Sequence, residues 1–559
     1  MEQKKNSKEG LIILVLIILT TITVIPLFIT PIIRGDDIFF HLLRIEDIKN
    51  GILGGQFPVQ IMPESLYGFG YANGIFYPDL FLYFPALLRI MGVDLRIAYG
   101  IFMSLCTFLA TFSMYFCVKK IFKNINIAFF SSVIYIFAQY KITDLYFRSA
   151  VAEYISFIFI PIIILGVYEL LYRDYKKYYI LAIGMSAVVL THLLSVMMIA
   201  SMCVCFYLFS ILKIIKEPKR LGYSMRAAVL TILLTAYSWI PIIGQFLHGK
   251  FNLENVKPFA YEDIVSLNDI FTVNRNSRFF VGIVFVLLVL LYIGAILKKR
   301  NNGFVFIIFL IGLGSLLLTI ENPIAKEVFQ NIKILNNVQF AWRFGLIATP
   351  LLGIVSGYSI GVLIPDRTRA KTLVLVLLVI TLGGNLLLYT KYYKRKNIDF
   401  DNFTSKYSDY IGAGAEYLPK GASEDDIAKK GNKVISKDNT FRYSNYKKKG
   451  VKISFDFKTE NDNTIVDLPL LYYYGYDYKI IPKEGKTIKG KVEHSEDLCV
   501  RVDLGKVKSG TLIVDYKGTF YMTLGNFITL ATIIYIIYSR TRNKRNSKVS
   551  FKRNSRIYK

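Results

Sequence analysis

Asp37, His41 and Arg44 stand at i, i+4 and i+7, a spacing that places them on one face of a helix. A carboxylate, an imidazole and a guanidinium on one stripe are the side chains that move a proton and hold a phosphate. They lie in the polar stretch 34–77, RGDDIFFHLLRIEDIKNGILGGQFPVQIMPESLYGFGYANGIFY, which is rich in acids, glycines and aromatics. Ile38, Leu42, Ile45 and Ile48 recur at helical spacing, which predicts a short amphipathic helix on a membrane surface, ended near Gly51. Plain structural roles compete with chemistry. Asp36 or Asp37 can N-cap this helix, and Arg44 can pair with Asp47 or Glu46. The spacing is best met if Asp36 caps and Asp37 is left to act.

The elements that must position these residues are membrane helices. Hydrophobic residues make up 53% of the 559-residue chain and mean hydropathy is +0.42. Repeated apolar runs of about 20 residues are transmembrane signals. Spans are expected at 11–33, 95–118, 125–140, 151–171, 178–191, 193–215, 226–247, 279–297, 303–320, 344–364, 372–390 and 519–539, about twelve in all. Residues 76–91, broken by Pro78 and Pro85, read as re-entrant or interfacial. The run after Lys4, Lys5 and Lys8 reads as a retained first helix. The net charge of +28 sits in short loops between spans and in the tail Arg540–Lys559. That is the positive-inside pattern, not a nucleic-acid-binding domain, and it puts both termini in the cytoplasm of a multi-pass cell-membrane protein. Cys106, Cys117, Cys203 and Cys205 fall in apolar runs and Cys499 stands alone, so neither a disulfide framework nor zinc spacing emerges.

In this topology all four histidines lie at the outer side, and many acids with them, including Asp79, Asp144, Glu153 and Asp263. Arg148 and Glu153 flank the start of a span, where a surface salt bridge is the simpler role. His192 lies in a turn, where backbone contacts commonly satisfy a lone histidine. Arg343 beside Trp342, in VQFAWRFG, fits either an aromatic-belt anchor or a guanidinium binding phosphate at headgroup depth. From about 391 to 518 the chain turns polar. Val451, Ile453, Phe455 and Phe457 alternate with polar residues, and 466–480 and 512–516 read as further strands. The expected fold is therefore mainly α. It is a transmembrane bundle (1–390, with the external loop 34–94), an extracytoplasmic β-sandwich (391–518), then a last span and basic tail (519–559). Nucleotide-cradle, zinc-protease and hydrolase-elbow motifs are absent.

Several motifs together resemble a family. They are Asp37–His41 as D-x-x-x-H, Gly55–Pro58, GYANGIFYPDL (70–80), RSAVAEYISFIFIPIIILG (148–166), LTHLL (190–194), QFAWRF (339–344), GAEYLP (414–419) and LPLLYYYGY (468–476). The set is similar to the GT-C class of membrane glycosyltransferases, and more closely to its YfhO-like branch. Some of that branch carry the label 6-pyruvoyl-tetrahydropterin synthase-related, although no residue here suggests pterin chemistry. Ala341 departs from the proline common in the family.

The resemblance implies a polyprenyl-phosphate-linked sugar donor, membrane lipid around it, and a cell-envelope glycan or polymer as acceptor. It implies inverting transfer at the outer face; a carboxylate base and a phosphate leaving group need no metal in principle, and no cofactor is expected. Asp37 would be the general base, with Asp36 beside it. Arg148, Arg343 and His192 would hold the phosphate, and His41, Arg44, Glu153, Trp342 and Tyr77 would complete the substrate-binding set. The competing classes are a lipid or polysaccharide transporter or flippase and a non-catalytic assembly scaffold. A transporter would show internal repeats and helices broken near the midplane, and no clear repeat is visible.

Overall fold

A computed structural model describes residues 2–557 apart from 30–31, 256–263, 271–282, 365, 395–396, 402 and 413. Asp263 and the start of the span expected at 279–297 lie outside the described residues. Six described helices are long and apolar enough to cross a membrane: Ser7–Ile29, Leu95–Phe122, Val151–Tyr172, Ala341–Leu363, Thr368–Tyr392 and Phe520–Ser539. Two bent pairs raise the number to eight. Ile125–Ile136 with Gln139–Phe147 turns by 46°, and Lys219–Leu234 with Ala236–His248 by 66°. The expected twelve is not reached by length. The other four segments carry helices of 11, 17, 15 and 16 described residues. At about 1.5 Å per residue, the helices in 178–191 and 303–320 fall short of a hydrocarbon core roughly 30 Å thick, Leu193–Phe209 is followed by the separate helix Ile211–Lys216, and the 279–297 segment is described only from Ile283 on.

The helical core is continuous. Leu95–Phe122, Ile125–Ile136, Val151–Tyr172 and Gly345–Leu363 share one buried cluster. Glycines permit the closest approaches. A Cβ on Gly357 would sit 2.1 Å from Ser131 Oγ, so the two backbones touch there.

The polar C-terminal segment forms nine strands: β1 (Ile435–Ser436), β2 (Arg442–Lys449), β3 (Lys452–Lys458), β4 (Ile465–Leu471), β5 (Tyr476–Pro482), β6 (Ile488–Lys491), β7 (Glu493–His494), β8 (Cys499–Asp503) and β9 (Ser509–Tyr516). They make two antiparallel sheets, ordered β1-β4-β8-β7 and β2-β3-β9-β5-β6. The alternation expected from 451 to 457 is realised: Ile453, Phe455 and Phe457 are buried and Lys452 and Lys458 exposed. Val466, Leu470 and Val502 of one sheet share a core with Phe455, Leu512 and Val514 of the other, which makes the pair a sandwich.

The same core contains Ile61, Phe69, Tyr71, Ile75 and Phe76 from the loop after the first helix. Tyr71 Oη accepts from Tyr417 N at 2.9 Å, and Phe76 stacks on Tyr417 with centroids 5.1 Å apart. This loop is therefore an inner layer between bundle and sandwich.

Candidate functional site

The helix that carries the opening motif spans Ile38–Leu53. It does not lie on a surface as an amphipathic helix. Ile38, Leu42, Ile45 and Ile48 are fully buried, and His41, Arg44, Glu46 and Asp47 on its other faces are buried as well. Its C-cap is Gly54 rather than Gly51, because Gly51 packs inward on Val59. Its N-cap position is held by Asp37, whose side chain makes no cap bond, so Asp36 is not the cap. What fixes this end is the neighbouring loop. Asp37 N donates to Arg148 O at 2.8 Å, and a Cβ on Gly35 would lie 2.5 Å from Ser149 Oγ. Glycine is thus required by close approach.

Arg148 is not in a surface salt bridge. Its side chain is 3% exposed and donates from Nη1 to Asp144 Oδ1 at 2.5 Å and Glu153 Oε2 at 3.2 Å. Its Nη2 stands 3.9 Å from Asp37 Oδ2, and its guanidinium lies 4.1 Å from the Trp342 ring centroid. The Asp37 side chain keeps 44% of its surface accessible, against 2% for Glu153. The surrounding burial raises the Asp37 pKa, opposed by the Arg148 and Arg343 guanidiniums. Asp37 is therefore the open carboxylate of an otherwise closed ionic cluster.

The other expected residues gather around it. Arg343 Nε is 3.7 Å from Glu153 Oε2 and has no hydrogen-bond partner. Its Nη1 donates to Val338 O at 3.1 Å and Gln339 Oε1 at 2.7 Å. Trp342 is buried under Arg148 and stacks on Phe340, so it is an inner wall of the cluster rather than a belt residue. His192 is buried at the N-cap of Leu193–Phe209, with Nδ1 2.8 Å from Ser195 Oγ. Its ring stands 6.0 Å from that of Tyr77.

Arg44 pairs with neither Asp47 nor Glu46. It donates to Tyr77 O at 3.3 Å and Pro78 O at 2.8 Å, and lies 4.4 Å from the Tyr77 ring centroid. Glu46 holds Lys49 and Arg89, and Asp47 accepts from Ser65 Oγ at 2.6 Å and Glu64 N at 2.7 Å. Burial, reinforced by Arg44, lowers the His41 pKa well below its ordinary value and leaves the ring neutral. Tyr77 joins the two halves of the site, Arg44 and His41 on one side and His192 on the other.

Two contributors were not singled out from sequence. Asp144 was one acid among many, although its i, i+4 relation to Arg148 was a readable signal. Tyr140, which donates to Glu153 Oε1 in a short bond, gave none. Among the described residues no three His, Cys, Asp or Glu side chains gather so as to hold a metal.

Helical membrane bundle, docked loop and terminal sandwich define a polytopic membrane protein. Residues 75–393 match the 6-pyruvoyl-tetrahydropterin synthase related domain, described as a membrane protein, and the chain belongs to that family. This is the family expected from the motifs. An uncharacterized protein of Lactococcus lactis subsp. cremoris is 22% identical over 329 residues, 55% of this chain and 52% of that one. The chain thus spans about half the length of this curated relative. Among solved structures, ArnT from Cupriavidus metallidurans bound to undecaprenyl phosphate is 12% identical with a TM-score of 0.47, over 72% of this chain and 68% of that one. The mycobacterial arabinofuranosyltransferase AftD is 16% identical with a TM-score of 0.41, over 67% and 28%. The oligosaccharyltransferase AglB from Archaeoglobus fulgidus is 11% identical with a TM-score of 0.40, over 74% and 61%.

Proposed function

We propose that this protein transfers a sugar from a polyprenyl-phosphate-linked donor to a hydroxyl of a cell-envelope glycan or polymer. The reaction takes place at the extracytoplasmic face and inverts the anomeric carbon. The observation that carries the reading is the accessible Asp37 carboxylate held beside buried arginines. Asp37 takes the proton of the acceptor hydroxyl as that oxygen attacks the anomeric carbon. The bond from that carbon to the phosphate oxygen breaks, and polyprenyl phosphate leaves with the electron pair. Arg148 is occupied by Asp144 and Glu153, so its part is to position Asp37. Arg343, whose Nε makes no hydrogen bond and only a 3.7 Å ionic contact with Glu153, and His192 are assigned to the phosphate. Tyr77, Trp342, His41 and Arg44 shape the walls. In this reading the step uses no metal, and the Arg343 guanidinium meets the charge that develops on the leaving phosphate.

Transfer from a panel of polyprenyl-phosphate sugars by the reconstituted protein tests the reading. Arg343→Ala is expected to weaken donor binding by about 2–5 kcal/mol, the typical loss when a charged partner is removed. Arg343→Lys is expected to weaken it less, because lysine keeps the charge but not the fork. Unchanged donor binding by the alanine variant would make Arg343 a structural residue only.

This reading also requires residues 391–518 outside and the tail inside, as the basic loops direct. Thiol labelling in intact cells should reach Ser408→Cys, while Ser547→Cys should label only after permeabilisation. The reverse pattern overturns the orientation and the face assigned to the reaction.

A further inference from the structure

A second site lies at the far end of the helix that begins after Asp37. A groove of about 320 Å³ is enclosed by residues 54–60, the β2–β3 hairpin and the start of the last helix. Its cations are Lys449, Lys452 and Lys517, and its one acid is Asp515, which already pairs with Lys517 at 2.6 Å. Lys449 and Lys452 face each other as register partners beside the hairpin turn. Like charges directly opposed across a strand pair are destabilising. Among the described ion pairs neither lysine has a carboxylate partner. The lining therefore presents net positive charge to an anion.

Its depth indicates the source of that anion. Thr523 and Asn526 line it from within the apolar span Phe520–Ser539, while the lysines come from the sandwich above. The groove thus straddles the level where headgroups lie. Phe57 on its wall is 80% exposed and Phe520 at the top of the span is 70% exposed, the type and placement of interfacial aromatics. The Ile38–Leu53 helix is 16 residues long, so the groove is about 24 Å from Asp37 and separate from the proposed reaction centre.

We infer that this groove binds the phosphate headgroup of an anionic membrane phospholipid and so ties the sandwich to the bilayer. The hairpin turn meets the helix end directly. A Cβ on Gly54 would lie 3.0 Å from Gly450 Cα, so an occupied groove braces the helix that carries Asp37.

Thermal unfolding of the purified full chain in neutral detergent tests the inference, with phosphatidylglycerol, phosphatidylcholine or inorganic phosphate added. Phosphatidylglycerol should raise the melting temperature of the parent by several degrees, and phosphatidylcholine should not. In Lys449→Gln/Lys452→Gln the apparent affinity for phosphatidylglycerol should fall roughly tenfold or more, the scale set by two lysines near an anionic surface. Without anionic lipid the same variant should melt at or above the parent, since the opposed charges are gone. The basic tail is identical in both proteins, so the difference between them reports on the groove. Equal phosphatidylglycerol response in parent and variant overturns the site. Equal stabilisation by phosphatidylcholine removes the demand for charge, and full stabilisation by inorganic phosphate alone assigns the groove to free phosphate instead of lipid.

Discussion

Asp37→Asn is expected to lower sugar transfer by roughly 10²–10⁴-fold, the usual contribution of a positioned general base. Asparagine preserves the side-chain shape and removes the proton acceptor. The fold should survive, because Arg148 keeps both Asp144 and Glu153 when the longer 3.9 Å contact to Asp37 is lost. Donor binding should stay near the parent value. Asp36→Asn should change transfer far less, since Asp36 precedes the cap and is exposed. The parent should also show an acid limb. Burial raises the Asp37 pKa above the ordinary carboxylate value, so the base is lost as pH falls through that raised value. The limb therefore lies at higher pH than for a free aspartate, and it should vanish from the residual activity of Asp37→Asn. Parental rates from Asp37→Asn together with loss in Asp36→Asn would exchange the two roles.

Arg148→Met should be the most destabilising single change at the site. It leaves the carboxylates of Asp144 and Glu153 buried with their shared cation removed. Breaking a buried pair in this way typically costs about 3–5 kcal/mol, against a total stability of about 5–15 kcal/mol. The expected readout is a lower melting temperature and poor recovery of monodisperse protein. Arg148→Met/Asp144→Asn should regain part of the loss, because one uncompensated charge goes with the cation. If Arg148→Met melts with the parent, the cluster is not a structural brace and Arg148 is free to take the phosphate role implied by the resemblance. Arg148→Lys separates charge from geometry: it should restore stability more fully than transfer, because an ammonium cannot reproduce the guanidinium fork that meets Asp144 and Glu153 through Nη1 and Asp37 through Nη2.

Composition and periodicity determined the membrane class and the position of the terminal sandwich. Helical spacing pointed to Asp37, His41 and Arg44, whereas site roles for Arg148, His192 and Arg343 were implied by the family resemblance. Apolar runs and strict alternation are local properties, and a 20-residue apolar run or a strand such as Lys452–Lys458 carries its meaning within itself.

Only the tertiary structure decided what covered each element. The Ile38–Leu53 stripe looked like one wet face and one buried face, yet the helix is enclosed on both, because Glu64 and Ser65, Tyr77 and Pro78, Arg89 and the Phe403–Tyr407 helix pack around it. The same enclosure sent Arg44 to backbone carbonyls at Tyr77 and Pro78 instead of to Asp47 or Glu46. Arg148 and Glu153 read as a surface pair because they close a loop at the start of a span. They are buried because Trp342 and Arg343, nearly 200 residues later, complete their shell. Which carboxylate of Asp36 and Asp37 faces the cluster depended on one backbone bond, Asp37 N to Arg148 O. A long-range contact of that kind leaves no periodic trace in the chain, since its partners are set by how helices pack and not by local propensity.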